Sequence, residues 1–596
     1  MQDIKEQLKT IINNLYNLDF EPEITLSPDN IDADYSTNAP LKLAKELHKS
    51  PMDIASDIKI NFEALETVSR EGYDPSEVTE PRNDGREGTG SQKLQINLTS
   101  PGFINFTLPE DYLLNSINGL STDFGKNIST DSFAGKTVIC EFSDPNPFKV
   151  LHVGHLYTSI VGDSISRLFE YAGAKVIRAN FGGDVGLHVA KTMYILQQKK
   201  LDELKIEDIA KCYVEGTAAY EDDESAKQEI TKLNKEIYKI NAEDIHGTPL
   251  ADLYWKGREL SYAYFENFYA SIGLKFDKYY PESTVAALGL KTVKEQLDKG
   301  VYELSNGAII FDGEKFGLHT RVFVNSEGVP TYEAKDVGLI FTKWQDYHFD
   351  KSVVITGSEQ LDYMKVVLKS IEQFAPELVK RTSHLTHGLV KLPGNVKMSS
   401  RKGNFLKAVD VLDMIKEELK TEYNTVDDKI ALAATKYAFI KYKMGGNIIF
   451  DPKESVKMTG NSGPYLLYSC VRAKKILSKT LAQNEERVSP QGETRGAVTR
   501  ELAHNPGGSA ISSHERNLIK KILEYKSVLD EAVTEMAPHK LANYLYELAQ
   551  EFSRFYEACQ VVGSEQETER IKLVKVYADT MAHGLNILGI EIPEEM

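Results

Sequence analysis

Residues 141–155 read EFSDPNPFKVLHVGH, and this stretch decides the fold of the chain. It follows the β-branched run TVIC at 137–140, which is typical of a buried strand, and it precedes residues with apolar positions at helical spacing. Pro145 and Pro147 break the intervening backbone into a loop. The order strand, loop, helix predicts a crossover of a doubly wound α/β sheet, in which the start of the helix favours a bound phosphate.

Two histidines stand at the predicted start of this helix. His152 and His155 are three residues apart on one face, so both can point at the same polyphosphate, while Gly154 lets a base or ribose approach the backbone. On spacing alone, a surface pair or a metal-binding pair is an equally good interpretation. A zinc site needs three or four ligands, and Asp163 lies about two turns further on, too far to share an ion. The context therefore favours phosphate binding.

A second cationic motif, KMSSRKGN, occupies residues 397–404. Such a loop can close over a triphosphate, with Lys397 and Lys402 near the leaving pyrophosphate and Gly403 absorbing the backbone change. Taken alone, the motif is more often a solvated basic turn. In this order with HVGH, it resembles the two signatures of class I aminoacyl-tRNA synthetases.

The residues around both signatures narrow the resemblance to the arginyl-tRNA synthetases. Residues 141–155 are similar to the frame E-x-x-x-x-N-x-x-K-x-x-H-x-x-H, although this chain has Ser-Asp-Pro-Asn where that family more often has Ser-Ser-Pro-Asn. YEAKDVG at 332–338 resembles Y-x-x-x-D-x-G, and GSEQ at 357–360 resembles the segment that ends in an arginine-contacting glutamine. The resemblance covers nearly the whole chain.

This resemblance implies activation of arginine by ATP with Mg²⁺, transfer of arginine to tRNA, and no zinc. The catalytic residues it implies are His152, His155, Lys149, Lys397 and Lys402. The implied ATP-binding residues are His152, Gly154, His155, Lys397, Met398, Ser399 and Ser400. The implied arginine-binding residues are Glu141, Asn146, Tyr332, Asp336 and Gln360. Whether Lys149 or Lys397 dominates stays open, because many members lack a lysine in the second signature and use the upstream one.

Charge gives a separate argument for the substrate. Glu141 ends a predicted strand, Asp336 follows a turn, and Gln360 follows the predicted strand 353–356, so the three can converge at one sheet edge. Carboxylates bind a planar guanidinium as a fork, which a lysine ammonium cannot reproduce. At roughly 1.5–3 kcal/mol per charged hydrogen bond, these acceptors with Tyr332 would select arginine over lysine. The resemblance suggests that Glu141 and Asn146 serve the α-amino and carboxylate end, and the others the guanidinium.

We expect three domains. A small α/β domain spans 1–115, a Rossmann-type catalytic domain with a helical insertion at 195–265 spans 116–454, and an all-α anticodon-binding bundle spans 455–596. The insertion is expected between the two halves of the sheet and is interpreted as scaffolding. Asp184, in a glycine-rich turn, fixes either a substrate amine or a structural water.

Alternating residues at 93–98 and 103–108 predict a strand pair, and Asn306-Gly307 and Asp312-Gly313 predict hairpin turns. A stripe at helical spacing predicts a core-facing helix in the bundle, at Leu541, Leu545, Leu548, Phe552, Phe555 and Cys559.

Four residues are candidates for tRNA contact. Tyr35 and Asn38 belong to a domain that resembles the tRNA-corner domain of the family, but both fit a helix cap or turn equally well. Tyr465 and Tyr468 could stack on anticodon bases, or belong to the helical core.

Composition narrows the class of protein. A net charge of −18 excludes a general polyanion binder, so tRNA must be held by local basic patches. The four cysteines form no C-x-x-C pattern, which indicates neither a disulfide framework nor a cysteine zinc site. No signal peptide or membrane-spanning run is evident. We therefore expect a cytoplasmic monomer without membrane association.

Three alternatives remain. A small nucleotidylyltransferase that uses H-x-G-H would be much shorter and would lack a helical C-terminal domain. A catalytically dead synthetase relative would serve as an RNA-binding or regulatory module, which the intact signatures disfavour. A synthetase for another amino acid is disfavoured because cysteinyl-type members carry a zinc-ligand set that this chain lacks.

Overall fold

The computed structural model describes residues 2–28, 31, 33–71, 94–199, 204–393, 406–488 and 511–596. The chain forms two compact units, each assembled from segments that are distant in sequence. One unit comprises Met1–Ile128, Arg472–Val528 and Glu547–Thr580, and the other comprises Ser129–Val471, Leu529–Tyr546 and Met581–Met596. The boundaries of the three sequential domains stay predictions.

The N-terminal segment is a small α/β structure, as expected. Its helices are α1 (Gln2–Tyr16), α2 (Ala39–Leu47), α3 (Pro51–Glu71), α4 (Glu110–Thr122) and α5 (Phe124–Ile128). Its strands, β1 (Thr25–Leu26), β2 (Tyr35–Thr37), β3 (Gln95–Thr99) and β4 (Phe103–Thr107), form an antiparallel sheet in the order β1-β2-β4-β3. The predicted strand pair at 93–108 is therefore confirmed, with Ile96 opposite Phe106.

Tyr35 contradicts its expected place on a tRNA-facing surface. It lies in β2, an inner strand of this sheet, and its side chain is 0% exposed. Burial raises the pKa of its phenol, and within the described residues the hydroxyl has no hydrogen-bond partner. A fully buried ring presents no surface to tRNA in this structure, so the expected exposure of Tyr35 is contradicted.

The second unit contains the predicted doubly wound sheet. Its strands are β5 (Thr137–Glu141), β6 (Lys175–Gly182), β7 (Lys278–Pro281), β8 (Glu303–Ser305), β9 (Ala308–Phe311), β10 (Arg321–Val324), β11 (Lys351–Gly357), β12 (Thr382–His387), β13 (Val390–Lys391) and β14 (Ile448–Ile449). Five of them pair in parallel in the order β12-β11-β5-β6-β7. From β5 the chain adds β6 and β7 on one side of the sheet and then β11 and β12 on the other, so the strand order reverses between β5 and β11. Ligands bind outside the carboxyl ends of strands at such a point.

Helices cover this sheet and fill its connections. They are α6 (Val153–Tyr171), α7 (Leu187–Leu196), α8 (Ile206–Asp222), α9 (Glu224–Ala242), α10 (Pro249–Ser271), α11 (Glu282–Leu297), α12 (Tyr332–Tyr347), α13 (Leu361–Glu372), α14 (Pro376–Arg381), α15 (Ala408–Tyr423), α16 (Asp428–Ile440) and α17 (Pro452–Ser455). Buried side chains of β5, β6 and β11 pack with those of α11, α12 and α13 in one apolar core. This core fixes the strand ends that carry the site.

The helical insertion is confirmed, but its place in the topology differs from the expectation. Helices α8, α9 and α10 lie between β6 and β7, inside one half of the sheet rather than between the halves. They share an apolar core of their own with α7, built on side chains such as Ile209, Ile237 and Tyr254. The charged, helical sequence predicts that these helices exist. Which two strands they separate is shown only by the pairing of the strands.

One of two predicted hairpin turns forms as expected. Asn306 and Gly307 have φ of 48° and 79° and join the antiparallel strands β8 and β9, as the Asn-Gly signal indicates. Asp312 instead starts a short 3-10 helix, Gly313–Phe316, by accepting a hydrogen bond from the Glu314 amide at 3.2 Å. The connection to β10 is therefore longer than a tight turn.

The C-terminal part is helical. Its helices are α18 (Gly463–Val488), α19 (Ser513–Leu523), α20 (Tyr525–Glu535), α21 (Pro538–Ala558) and α22 (Glu567–Ile587). The stripe predicted along α21 is buried throughout, at Leu541, Leu545, Leu548, Phe552, Phe555 and Cys559. The predicted helical bundle is thus confirmed.

Candidate active site

One cavity of about 1110 Å³ opens at the carboxyl ends of the parallel strands. Strands β5, β11 and β12 reach it through Glu141, Gly357 and His387, and α6 reaches it through its first turn. Eight of the predicted site residues line this cavity, and they are Glu141, Asn146, His152, Gly154, His155, Tyr332, Asp336 and Gln360. The structure thus brings together side chains that are up to about 220 positions apart in sequence.

The histidine end of the cavity is built by the N-terminus of α6. His152 is the N-cap residue, with extended backbone, and its Nδ1 accepts a hydrogen bond from the Gly154 amide at 3.1 Å. His155 Nδ1 accepts one from the His152 amide at 3.1 Å. The two imidazoles therefore cap the helix reciprocally, and their rings stack with centroids 3.7 Å apart.

This capping fixes the tautomer of both rings. Burial, reinforced by the charge of Lys149, lowers the pKa of His152 to about 4. Burial and the adjacent His152 lower the pKa of His155 well below its usual range. Both rings are consequently neutral near pH 7. Because each Nδ1 is an acceptor, each proton resides on Nε2, and the pair presents two N–H donors.

Position 154 must be glycine because the His152 imidazole occupies the space that a side chain would need. A Cβ at position 154 would lie 2.9 Å from Cε1 and 3.0 Å from Nδ1 of His152. Any larger residue would therefore push the capping imidazole away. The signature glycine keeps the histidine in place as well as keeping the backbone open.

Among the described residues, five acids line the cavity, and four of them, Glu141, Asp144, Glu282 and Asp336, affect one another's charge and form its acidic end, whereas the fifth is Glu359. Lys343 Nζ lies 2.7 Å from Glu141 Oε2, and both side chains are at most 4% exposed. Lys335 Nζ lies 2.9 Å from Glu282 Oε2 in a similarly buried pair. Each lysine thus neutralises one glutamate, while in the described part of the chain neither aspartate forms an ion pair.

The two aspartates hold their protons more tightly than usual. Burial, together with Glu141 nearby, raises the pKa of Asp336 to about 7 although Tyr363 donates a hydrogen bond to it. Burial and the charge of Glu141 also raise the pKa of Asp144 well above its ordinary value. Arg321, a cation in the cavity lining, pairs with Glu333 rather than with either aspartate, so the acidic end has room for one more positive charge.

The remaining arginine candidates are arranged around this acidic end. Asn146 Oδ1 accepts a hydrogen bond from the Gly183 amide at 2.7 Å, which leaves the Asn146 Nδ2 group as a donor toward the cavity. Tyr332 is 59% exposed at the rim, and the Lys335 ammonium lies 5.2 Å from its ring centroid. Gln360, in the 3-10 helix Ser358–Gln360, is exposed at the same rim.

The cationic motif at 397–404 contributes no described residue to the cavity. Lys397, Met398, Ser399, Ser400 and Lys402 lie outside the described residues. Lys149 is described and half-buried, and its Nζ lies 4.8 Å from the ring centroid of Tyr213 in α8.

The other tRNA candidates occupy different environments. Asn38 is the half-buried N-cap residue of α2, but its side chain makes no capping hydrogen bond. Tyr465 is half-buried, with its ring 5.8 Å from that of Tyr546. Tyr468 is 40% exposed. Their role in tRNA binding stays a prediction.

Sequence reasoning missed Glu282, Lys335, Lys343 and Tyr363, all at the acidic end. Glu282 directly follows β7, so the rule that ligands bind at the carboxyl ends of parallel strands could have found it. The others lie on helix faces and carry no local signal. Asp184 does not line the cavity, and its buried carboxylate is held by Arg258 Nε at 3.0 Å and by Ser283 Oγ at 2.7 Å, while its two expected roles stay predictions.

No group of three or more His, Cys, Asp or Glu side chains in the described ranges is arranged to hold a metal ion. The absence of zinc stays a prediction. Among the same residues, no helix is long and apolar enough to cross a membrane.

Three family matches cover most of the chain. Residues 121–451 match the family described as tRNA synthetases class I (R), catalytic domain. Residues 466–596 match the DALR anticodon binding domain, and residues 2–74 match the arginyl tRNA synthetase N terminal domain. The first match alone spans more than half of the sequence.

Individual relatives agree with these matches. An arginine–tRNA ligase of Flavobacterium psychrophilum is 27% identical and aligns over 100% of this chain and 99% of its own length. One of Borrelia garinii is 29% identical over 84% of this chain and 87% of its own length.

Solved structures show the same fold. The arginyl-tRNA synthetase of Thermus thermophilus superposes with a TM-score of 0.74 at 21% identity, covering 100% of both chains. That of Plasmodium falciparum superposes with a TM-score of 0.72 at 20% identity, covering 100% of this chain and 99% of its own. With the matched residues spanning its catalytic sheet and cavity, the chain belongs to the class I (R) family of tRNA synthetases.

Proposed function

We propose that this chain is an arginine–tRNA ligase, which activates L-arginine with ATP and transfers it to the terminal ribose of an arginine tRNA. The observation that carries the proposal is the polarity of the cavity. Four acids line the acidic end, where two buried lysines pair with the glutamates from behind the lining, and two neutral N–H donors stand at the start of α6. A cationic side chain suits the first end, and phosphate oxygens suit the second.

The acidic end favours a guanidinium through charge and shape. Lys343 and Lys335 occupy the two glutamates, which leaves Asp144 and Asp336 to a substrate. We assign the guanidinium to Asp336, which Tyr363 orients by a hydrogen bond. A guanidinium forms a planar bidentate pair with such a carboxylate, and Tyr332 and Gln360 stand at the rim above it. Asn146 Nδ2, at the opening of the same end, donates to the carboxylate of the amino acid.

The reaction then depends on holding arginine and ATP in the right geometry, and no covalent bond to the protein forms. The arginine carboxylate attacks the α-phosphorus of ATP, pyrophosphate leaves, and a tRNA hydroxyl takes the acyl group from the adenylate. His152 and His155 donate through Nε2–H to phosphate oxygens as charge develops there. Lys149 and the loop containing Lys397 and Lys402 supply cations, and Mg²⁺ enters with ATP as part of the substrate.

ATP–pyrophosphate exchange across the standard amino acids, with and without arginine tRNA, tests the proposal. Exchange with arginine alone supports it, and a rise from near zero when tRNA is added shows that tRNA completes the site. Exchange with another amino acid would overturn the assignment of the acidic end. Silence with every amino acid and tRNA would favour a dead RNA-binding module.

A further inference from the structure

The helical insertion does more than support the fold, because one of its tyrosines contacts a cation beside the histidine pair. Tyr213 lies in the middle of α8, and the Lys149 Nζ lies 4.8 Å from its ring centroid. This distance is within the range in which an ammonium is attracted to the face of an aromatic ring. Lys149 precedes the first histidine by three residues.

The Lys149 charge reaches the histidine end of the cavity. It is among the causes that lower the pKa of His152 and of His155, after burial. The ammonium is therefore close to the N–H donors that face the phosphates. A cation there would stabilise the charge that develops on the departing pyrophosphate.

The backbone next to Lys149 is already held by the insertion. Phe148 has a φ of 66°, a left-handed conformation that is costly for a bulky residue. Its amide donates to Ser261 Oγ at 3.0 Å, and its ring stacks on Tyr254 with centroids 5.9 Å apart. The backbone before Lys149 is thus held by α10, and the long side chain of Lys149 extends over the Tyr213 ring of α8.

A second tyrosine of the insertion, in α9, contacts a lysine that binds a cavity acid. Tyr238 Oη accepts a hydrogen bond from the Lys335 Nζ at 2.9 Å, and Lys335 also binds the cavity acid Glu282. The insertion thus contacts two lysines, Lys149 before the histidine pair and Lys335 beside an acid of the cavity.

We propose that Tyr213 is a positioning residue for amino-acid activation, whose ring holds the Lys149 ammonium where the leaving pyrophosphate develops charge. The inference rests on the proposed function. It assigns to the insertion a part in the chemical step, through a residue that does not itself contact the reacting atoms.

Two variants of Tyr213 distinguish a role in holding the Lys149 ammonium from a role in folding. In arginine-dependent ATP–pyrophosphate exchange with tRNA, Tyr213→Leu should lower kcat by roughly 2- to 30-fold, the range expected for a lost cation–π contact. The KM for arginine should not change. Tyr213→Phe keeps the aromatic face and should restore kcat to within about twofold of the wild type.

The chain offers a matched control on the same helix. Tyr220, seven residues after Tyr213, has the Lys191 Nζ 4.4 Å from its ring centroid, and Lys191 belongs to α7 rather than to the loop that precedes His152. Tyr220→Leu removes the same kind of contact and should leave kcat unchanged. If Tyr213→Leu lowers the melting temperature, Tyr213→Met replaces it, since methionine fills the space without an aromatic face.

A double-mutant cycle with Lys149→Met completes the test. The Tyr213→Leu change should have no further effect in the Lys149→Met background, because there is no ammonium left to orient. Additive losses, equal losses at Tyr213 and Tyr220, or full activity of Lys149→Met would overturn the inference. A wild-type protein that is silent with arginine would instead refute the proposed function, and this inference with it.

Discussion

Lys343 and Glu141 form a buried ion pair at the floor of the cavity, with Nζ 2.7 Å from Oε2. Lys343 also donates to Ser352 Oγ at 3.2 Å. The pair joins α12 to β5, although 202 residues separate the two positions. Glu141 is therefore an occupied carboxylate that shapes the acidic end and raises the pKa of the neighbouring Asp336 and Asp144.

Removing the lysine should strongly destabilise the catalytic unit. Lys343→Met leaves Glu141 buried without a counter-charge, which costs about 3–5 kcal/mol in comparable sites. Urea unfolding should therefore move to lower concentration. The double variant Lys343→Met/Glu141→Gln should regain part of the loss, since it removes the stranded charge. Equal stability of Lys343→Met and the wild type would contradict the buried pair.

Arginine binding should depend on pH through Asp336. The pKa of this carboxyl is raised to about 7, so the free protein loses its proton between about pH 6 and 8. Only the ionised form pairs with a guanidinium, and the KM for arginine should accordingly fall as pH rises through this range. Asp336→Asn should have a higher KM that no longer falls. An unchanged pH profile in Asp336→Asn would exclude this carboxyl as the titrating group.

The raised pKa of Asp336 should also make the folded state less stable as pH rises, although the same rise in pH improves arginine binding. Because the folded state holds the Asp336 proton more tightly than the unfolded chain does, this group stabilises the fold below its ordinary pKa of 3.8 and loses that contribution as pH rises through about 7. Asp336→Asn should be more stable than the wild type at pH 8. The unfolding midpoints of both proteins at pH 5 and pH 8 measure the difference.

The first turn of α6 should not tolerate a side chain at position 154. Gly154→Ala places a Cβ 2.9 Å from the His152 ring, so the ring must move and its capping hydrogen bond is lost. We expect kcat for exchange to fall at least tenfold, together with about 1 kcal/mol of stability from the lost cap. Gly119→Ala in α4 is the control, since nothing lies within 4 Å of its added Cβ. There the substitution should be neutral or stabilising.

An ion pair in the other unit should hold the N-terminal sheet against α19. Arg516 Nε lies 2.7 Å from Asp34 Oδ1, and Asp34 also accepts a hydrogen bond from the Leu108 amide at 2.6 Å. Asp34 is 1% exposed but keeps Lys520, whose Nζ lies 3.4 Å from its Oδ1, so Arg516→Met should cost roughly 1.5–3 kcal/mol, the range for a lost charged hydrogen bond. The lost stability should appear as faster hydrogen exchange of the β4 amides in Arg516→Met than in the wild type. Exchange protection equal to that of the wild type would show that other contacts hold this sheet.

Local sequence patterns were sufficient to predict the strands and helices and to locate the histidine motif at 152–155. The β-branched run before residue 141, the two prolines and the helical spacing after His155 place a strand, a loop and a helix in order, because periodicity and backbone restriction act within a few residues. The alternation at 93–108 and the stripe on α21 succeeded for the same reason. The Tyr35 hypothesis failed because the sequence around it does not show which neighbours cover the strand.

What the sequence by itself determined is the class of fold, the place of the phosphate-facing helix and the residues that resemble a family signature. Only the tertiary structure decided the charge state of the site. It paired Lys343 with Glu141 and Lys335 with Glu282, and it left Asp336 with a pKa of about 7. These outcomes depend on burial and on distances between side chains far apart in sequence. Electrostatic interactions of this kind are set by the assembled sheet and helices and leave no local pattern.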